Sequence, residues 1–179
     1  METHSPLSLY SVDALIILDS DGKRILAKYF TQEYKGAREQ TEFEKQLFKQ
    51  TKKLNNEIIM YEGKLIIYQN IVDVFIYVIA NQYQNELMLY NFMNSFIDTL
   101  NILLKNQVEK RIIMDNMDVV FLAIDECLDE GIILDNDATQ ISNRVSKKAN
   151  NDNGMNLSEQ SFTQAFFNAR DQIARSLLK

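Results

Sequence analysis

The sequence predicts an α+β fold: a five-stranded antiparallel sheet flanked by helices, with a further amphipathic helix on a polar linker. Three observations carry this. Apolar segments at 8–19, 24–30, 57–62, 64–69 and 71–82 are short, and turn residues rather than helix-length crossovers separate those within each group, which makes sequential strands antiparallel. Apolar residues recur at helical spacing across 41–54, 85–103 and 112–130. A last helical stripe at 157–178 follows a polar tract without apolar anchors.

The first two strands meet at Asp21-Gly22, a pair that accepts the positive φ of a hairpin turn. "ALIIL" is apolar at consecutive positions, so both faces of that strand are expected to be covered. The stretch "ILDSDGKRILAKYF" excludes two chemical loops. A calcium loop aligned on Gly22 meets Ile17 and Lys28 at ligand positions, and a phosphate loop lacks its first glycine and its hydroxyl. In "TEFEKQLFKQTKKL", Thr41 and Glu44 read as a capping box, Phe43, Leu47 and Leu54 as a buried stripe, and Asn55-Asn56 as the stop. A three-strand meander turns at Glu62-Gly63 and after Asn70. From Asn85, Leu89, Met93, Phe96, Leu100 and Leu103 share one helix face. The next helix is expected from Ile112 to Glu130, with Met117, Val120, Ile124 and Leu128 inward and Gly131 ending it. "GIILDND" reads as short and extended. Three units result: a small-chain domain at 1–146, a linker at 147–156, and a C-terminal helix at 157–179.

A net charge of −6 argues against a nucleic-acid surface. The single cysteine, Cys127, excludes a disulfide within the chain and fits a reducing compartment. "METHSPLSLY" has neither the basic nor the apolar region of a secretory signal, and the longest apolar run is about half the ~20 residues of a membrane span. A cytoplasmic protein is expected.

Hydroxyl or thiol nucleophiles usually need a neighbouring base, and the only histidine, His4, lies in a polar terminus. One Cys and one His make no zinc set. Asp118, Asp125, Glu126, Asp129 and Glu130 would stack along a continuous helix, where a solvated acidic face is the ordinary reading and a hard-cation site the sharper one. No catalytic residue, cofactor site or metal site is assigned, and the chain is expected not to be an enzyme.

"LSLYSVDALIILDSDGKRILAKYF", "FEKQLF" and "VFLAIDECLDEGIILDNDATQISNRVS" together resemble the zeta subunits of coatomer, the COPI vesicle coat, from about Leu7 to Ser146. Clathrin-adaptor small chains share only the outline of the last block. The resemblance implies a longin-type fold and a heterodimer with the coatomer gamma subunit within the heptameric coat. It further implies recruitment by an Arf-family GTPase, peripheral attachment to Golgi membranes, and retrograde traffic to the endoplasmic reticulum.

Adaptor small chains also bind acidic dileucine sorting signals, the alternative function. Their small Ala-Gly pair aligns with Val72 and Asp73, whose bulk and charge are expected to narrow the pocket. Their pocket arginine aligns with Ile25, while Arg24 stands one residue earlier, on the opposite face of a strand. Val74, Ile97 and Asn106 match remaining pocket positions. A free longin domain regulating membrane fusion is the third reading, and it normally precedes a coiled coil. In the C-terminal helix, Phe162, Phe166, Ile173 and Leu177 form the expected docking face, directed to a partner subunit or to the domain itself rather than to a membrane surface, since Arg170, Arg175 and Lys179 are set against Glu159 and Asp171.

Overall fold

The computed structural model describes residues 11–34, 36–53 and 57–149. Five strands form the main sheet: β1 (Ala14–Asp19), β2 (Arg24–Tyr29), β3 (Ile58–Tyr61), β4 (Lys64–Ile71) and β5 (Val74–Asn81). Their order across the sheet is β2-β1-β5-β4-β3, and every neighbouring pair is antiparallel. Helix α1 (Ala37–Thr51) links β2 to β3. After β5 come α2 (Glu86–Leu103), α3 (Lys110–Asp115) and α4 (Met117–Cys127), then a small hairpin of β6 (Leu128–Asp129) and β7 (Ile132–Ile133). A last helix, α5, spans 138–149.

Side-chain alternation along the strands sorts the core into two layers. Ala14, Ile16 and Leu18 of β1, Ile66 and Tyr68 of β4, and Phe75, Tyr77 and Ile79 of β5 face Phe43, Leu47 and Phe48 of α1. The intervening residues, Leu15, Ile17, Leu65, Ile67, Val74, Ile76 and Val78, face α2, α4 and α5 through Phe92, Phe96, Ile124, Ile141 and Val145. Each fully buried Val, Leu or Ile contributes roughly 1.5–3 kcal/mol, so the consecutive apolar residues of β1 and β5 are what a doubly covered sheet requires.

Several expectations need correction. Helix α1 begins at Ala37, four residues before Thr41, with Gly36 as N-cap. Thr41 Oγ1 instead donates to the Ala37 carbonyl, and Glu44 is turned into the protein interior. Leu54 and Asn55-Asn56 lie outside the described residues. The helix expected across 112–130 breaks at Asn116 and ends at Cys127. Gly131 does not stop a helix but shares a hairpin turn with Glu130, both at positive φ, between β6 and β7. Its hydrogen lies against the backbone of Val12, where a Cβ would come within 2.4 Å of the carbonyl oxygen.

The meander also turns later than expected. Strand β4 continues through Ile71, and the two-residue turn to β5 is Val72-Asp73. Finally, α5 occupies 147–149, a stretch expected to be linker. Asp137 caps this helix by accepting from the N–H groups of Thr139 and Gln140, both at 3.0 Å.

Candidate functional site

Three turns converge at one end of the sheet, where the expected signal pocket falls. The Asp19 carboxylate closes the β1–β2 turn, with Oδ1 accepting from Asp21 N–H at 2.9 Å and from Lys23 N–H at 2.8 Å. Its Oδ2 accepts from Lys110 Nζ at 2.8 Å, across from the start of α3. Asp73, in the β4–β5 turn, accepts from the Lys110 backbone N–H at 2.9 Å and so caps α3 from outside its own segment. Burial pushes Asp19 up, but Lys110 and the two turn N–H groups outweigh it and hold the carboxyl below its usual range. Lys110 is held above its usual range, first by its hydrogen bond to Asp19.

The five positions aligned with that pocket do not make one cavity wall. Val74 and Ile97 belong to the same apolar cluster and are buried within it. Val72 stands in the turn, 75% exposed and at a φ of 53°. It does not fill a pocket, contrary to the expectation from its size. Asp73 is spent on capping α3, and Asn106 lies exposed in the α2–α3 loop at a φ of 61°, its N–H bound to the Asn101 carbonyl. Lys110, beside Asp19 and Asp73, is already paired with Asp19.

Arg24 and Ile25 face opposite layers, as strand alternation predicts, and a bulge decides which layer each one takes. The β1–β2 register shifts between Ile17 and Leu18, so that Leu18 pairs with Arg24 and Ile25 is bulged. Arg24 consequently faces α1, where it binds the Glu44 carboxylate through Nε at 2.9 Å and a terminal nitrogen at 2.7 Å. Tyr29 donates its hydroxyl to the same carboxylate at 2.8 Å. Ile25 packs on the opposite layer.

The acidic residues of the α4 region are structural partners. Glu126 binds Arg144 and Lys148 of α5, Arg144 also binds Asp135, and Asp125 binds Lys28 of β2. The hydrogen bond from Lys148, joined by Arg144, holds Glu126 below its usual range against its partial burial. Asp129 and Glu130 lie in the hairpin, so the expected stacking over Asp125 and Glu126 does not form. Burial pushes the Cys127 thiol up to about 12, which leaves it a packing group. Sequence reasoning missed α5 and its Arg144 network. The signal was present in Asp137, Gln140 and the Ile141/Val145 pair, but the mostly polar residues between them obscured it.

Apolar surface remains on the sheet edge. Ile58 and Met60 of β3 pair with Ile67 and Leu65, so they belong to the α2 side, yet Met60 is 55% exposed. Leu87, near the start of α2, is 66% exposed. Strand β3 carries no charged residue, unlike β2 at the other edge with Arg24 and Lys28. Edges that are uncharged and, among the described residues, unpaired on one side are uncommon in chains that function alone. Phe162, Phe166, Ile173 and Leu177 lie outside the described residues. Among the described residues no helix is long and apolar enough to cross a membrane.

The family model of the clathrin adaptor complex small chain matches residues 11–152, and the chain is of that class. A chain of a homology model of the AP-3 complex in a stretched open conformation superposes with a TM-score of 0.63 at 14% identity, over 82% of this chain and 98% of that one, a likeness of fold. Bovine (Bos taurus) coatomer subunit zeta-1 is 41% identical over 172 residues, covering 96% of both chains. Coatomer subunit zeta of Saccharomyces cerevisiae is 38% identical with 86% of both covered, and Arabidopsis thaliana zeta-3 is 36% identical with 93% and 94% covered. This chain belongs to the coatomer zeta subunit family.

Proposed function

We propose that the chain is a non-catalytic structural subunit of the COPI coat and pairs with the coatomer gamma subunit. In that role it acts in Arf-dependent retrograde transport from Golgi to endoplasmic reticulum and within the Golgi, from the cytoplasmic face of the membrane. One observation carries this reading: identity of 41% to a coatomer zeta subunit along 96% of both chains. The uncharged β3 edge and the exposed Met60 and Leu87 support it, since a subunit held in a larger assembly keeps apolar surface for its neighbour. The segment at 157–179, with Phe162, Phe166, Ile173 and Leu177, is a second docking element for the partner subunit. The dileucine-binding alternative finds no support at Val72, Asp73, Val74, Ile97 and Asn106.

Affinity purification of the tagged full chain, with partners identified by mass spectrometry, tests the proposal. Coatomer gamma is the expected principal partner. Recovery with clathrin-adaptor large chains, or as a free monomer, would overturn it.

A further inference from the structure

Helix α1 covers one face of the sheet, and its outward ridge is basic. Arg38, Lys45, Lys49 and Lys52 are spaced i, i+7, i+11 and i+14, which sets them on one side of the helix along about 20 Å. Lys53 extends the row past the helix end, and all five side chains are exposed. Lys52 lies over the Phe48 ring at 5.2 Å and reaches the Ser20 carbonyl at 3.5 Å. None of the five forms an ion pair among the described residues, whereas Arg24, Lys28, Lys64, Lys110 and Arg144 all do. Of the acids of α1, Glu42 stands in the ridge and accepts from Gln46 at 3.2 Å. Glu39 lies on the flank, and Glu44 is turned inward to Arg24.

The helix dipole accounts for Lys49 and Lys52 near the C-terminal end, but Arg38, in the first turn, opposes it. The ridge also lacks what a protein interface needs. From Arg38 to Lys53 no exposed position is apolar, and lysine is depleted where protein surfaces meet. Ammonium groups are compact charges, suited to diffuse attraction rather than to a fork-like fit. A plane of anionic phospholipid headgroups meets these conditions, because it attracts a row of lysines without any buried apolar contact. The ridge lies on the opposite side of the sheet from Met60 and α2, so a neighbour over the β3 edge leaves it free. A net charge of −6 makes other orientations unfavourable within the ~8–10 Å reach of screened charge. We propose that the α1 ridge rests on anionic phospholipid headgroups, with the helix adsorbed parallel to the bilayer and not inserted. The inference takes the nearness of a membrane from the coat reading, but vesicle binding and partner recovery are separate readouts, so either can fail alone.

The test is flotation of the dilute full chain with vesicles of phosphatidylcholine alone, or of phosphatidylcholine and phosphatidylserine in equal parts. Flotation is expected only with phosphatidylserine and should weaken as salt is raised. The K45Q/K49Q/K53Q variant should bind at least about tenfold more weakly. These three lysines are exposed and unpaired, so the variant should keep the native circular dichroism spectrum and melting temperature. Arginine at the same three positions keeps the charge and should retain binding. A control, K105Q/R111Q/K147Q, removes the same charge from the other layer and is expected to bind within about twofold of the native chain. Equal weakening by the control would assign the binding to net charge and overturn the proposal. So would absence of flotation, or equal flotation with phosphatidylcholine alone. Tighter binding to poly-glutamate than to the vesicles, through the same three lysines, would make an acidic polypeptide the occupant and overturn the membrane assignment.

Discussion

Glu44 joins β2 to α1 through one buried carboxylate, with Arg24 and Tyr29 both depending on it. Substituting Glu44→Gln removes the charge from these hydrogen bonds and should cost about 1.5–3 kcal/mol in urea unfolding. The figure stays below that of a deeply buried pair, because Arg24 is one-third exposed. Val72 points the other way. A β-branched side chain at a φ of 53° is strained, so Val72→Gly should stabilise the chain by about 1 kcal/mol. Asp19 gives a pH dependence. Its folded pKa is lowered, so its contribution is present above the unfolded carboxyl value near ~3.9 and is lost as pH falls through the folded one. A Lys110→Met variant should be less stable at neutral pH and lose stability less steeply on acidification, as read from unfolding midpoints across pH 2–7.

At the scale of elements, Ile141→Ala in α5 should cost about 2–4 kcal/mol, since Ile141 is fully buried in the layer shared with α2 and α4. A comparable loss in thermal stability would show that α5 belongs to the folded domain rather than to a tether. The strands and α2 were legible in the sequence because their signals are local: alternation, Asp21-Gly22 and Glu62-Gly63 turns, and an Asn85 cap that accepts from Leu87 and Met88. The start of α1 was misplaced because Glu44 has the right spacing for a capping box but is recruited by Arg24, a partner 20 positions away. The layer that each pocket-aligned position faces was hidden for a similar reason. One bulge at Ile25 and one turn at Val72-Asp73 change which side chains face together, and neither leaves a mark in apolar periodicity. Asp73 itself reads as a strand residue until Lys110 is known to lie beside it.

For the whole molecule, the full chain expressed alone should associate or precipitate at high concentration and become monodisperse when co-expressed with the coatomer gamma trunk, as checked by light scattering. A stable, cooperatively unfolding monomer would argue that the β3 edge needs no cover. The strand order also sets a timetable for synthesis. Strand β1 is made early, but one of its two neighbours, β5, follows roughly sixty residues later, which at ~5–20 residues per second is several seconds of translation. During that interval the β1–β2 hairpin can offer α1 one apolar layer but has no neighbour for the free edge of β1. Ribosome-bound chains stalled before β5 should therefore be bound by chaperones, and release should follow once α2 has emerged to cover the second layer.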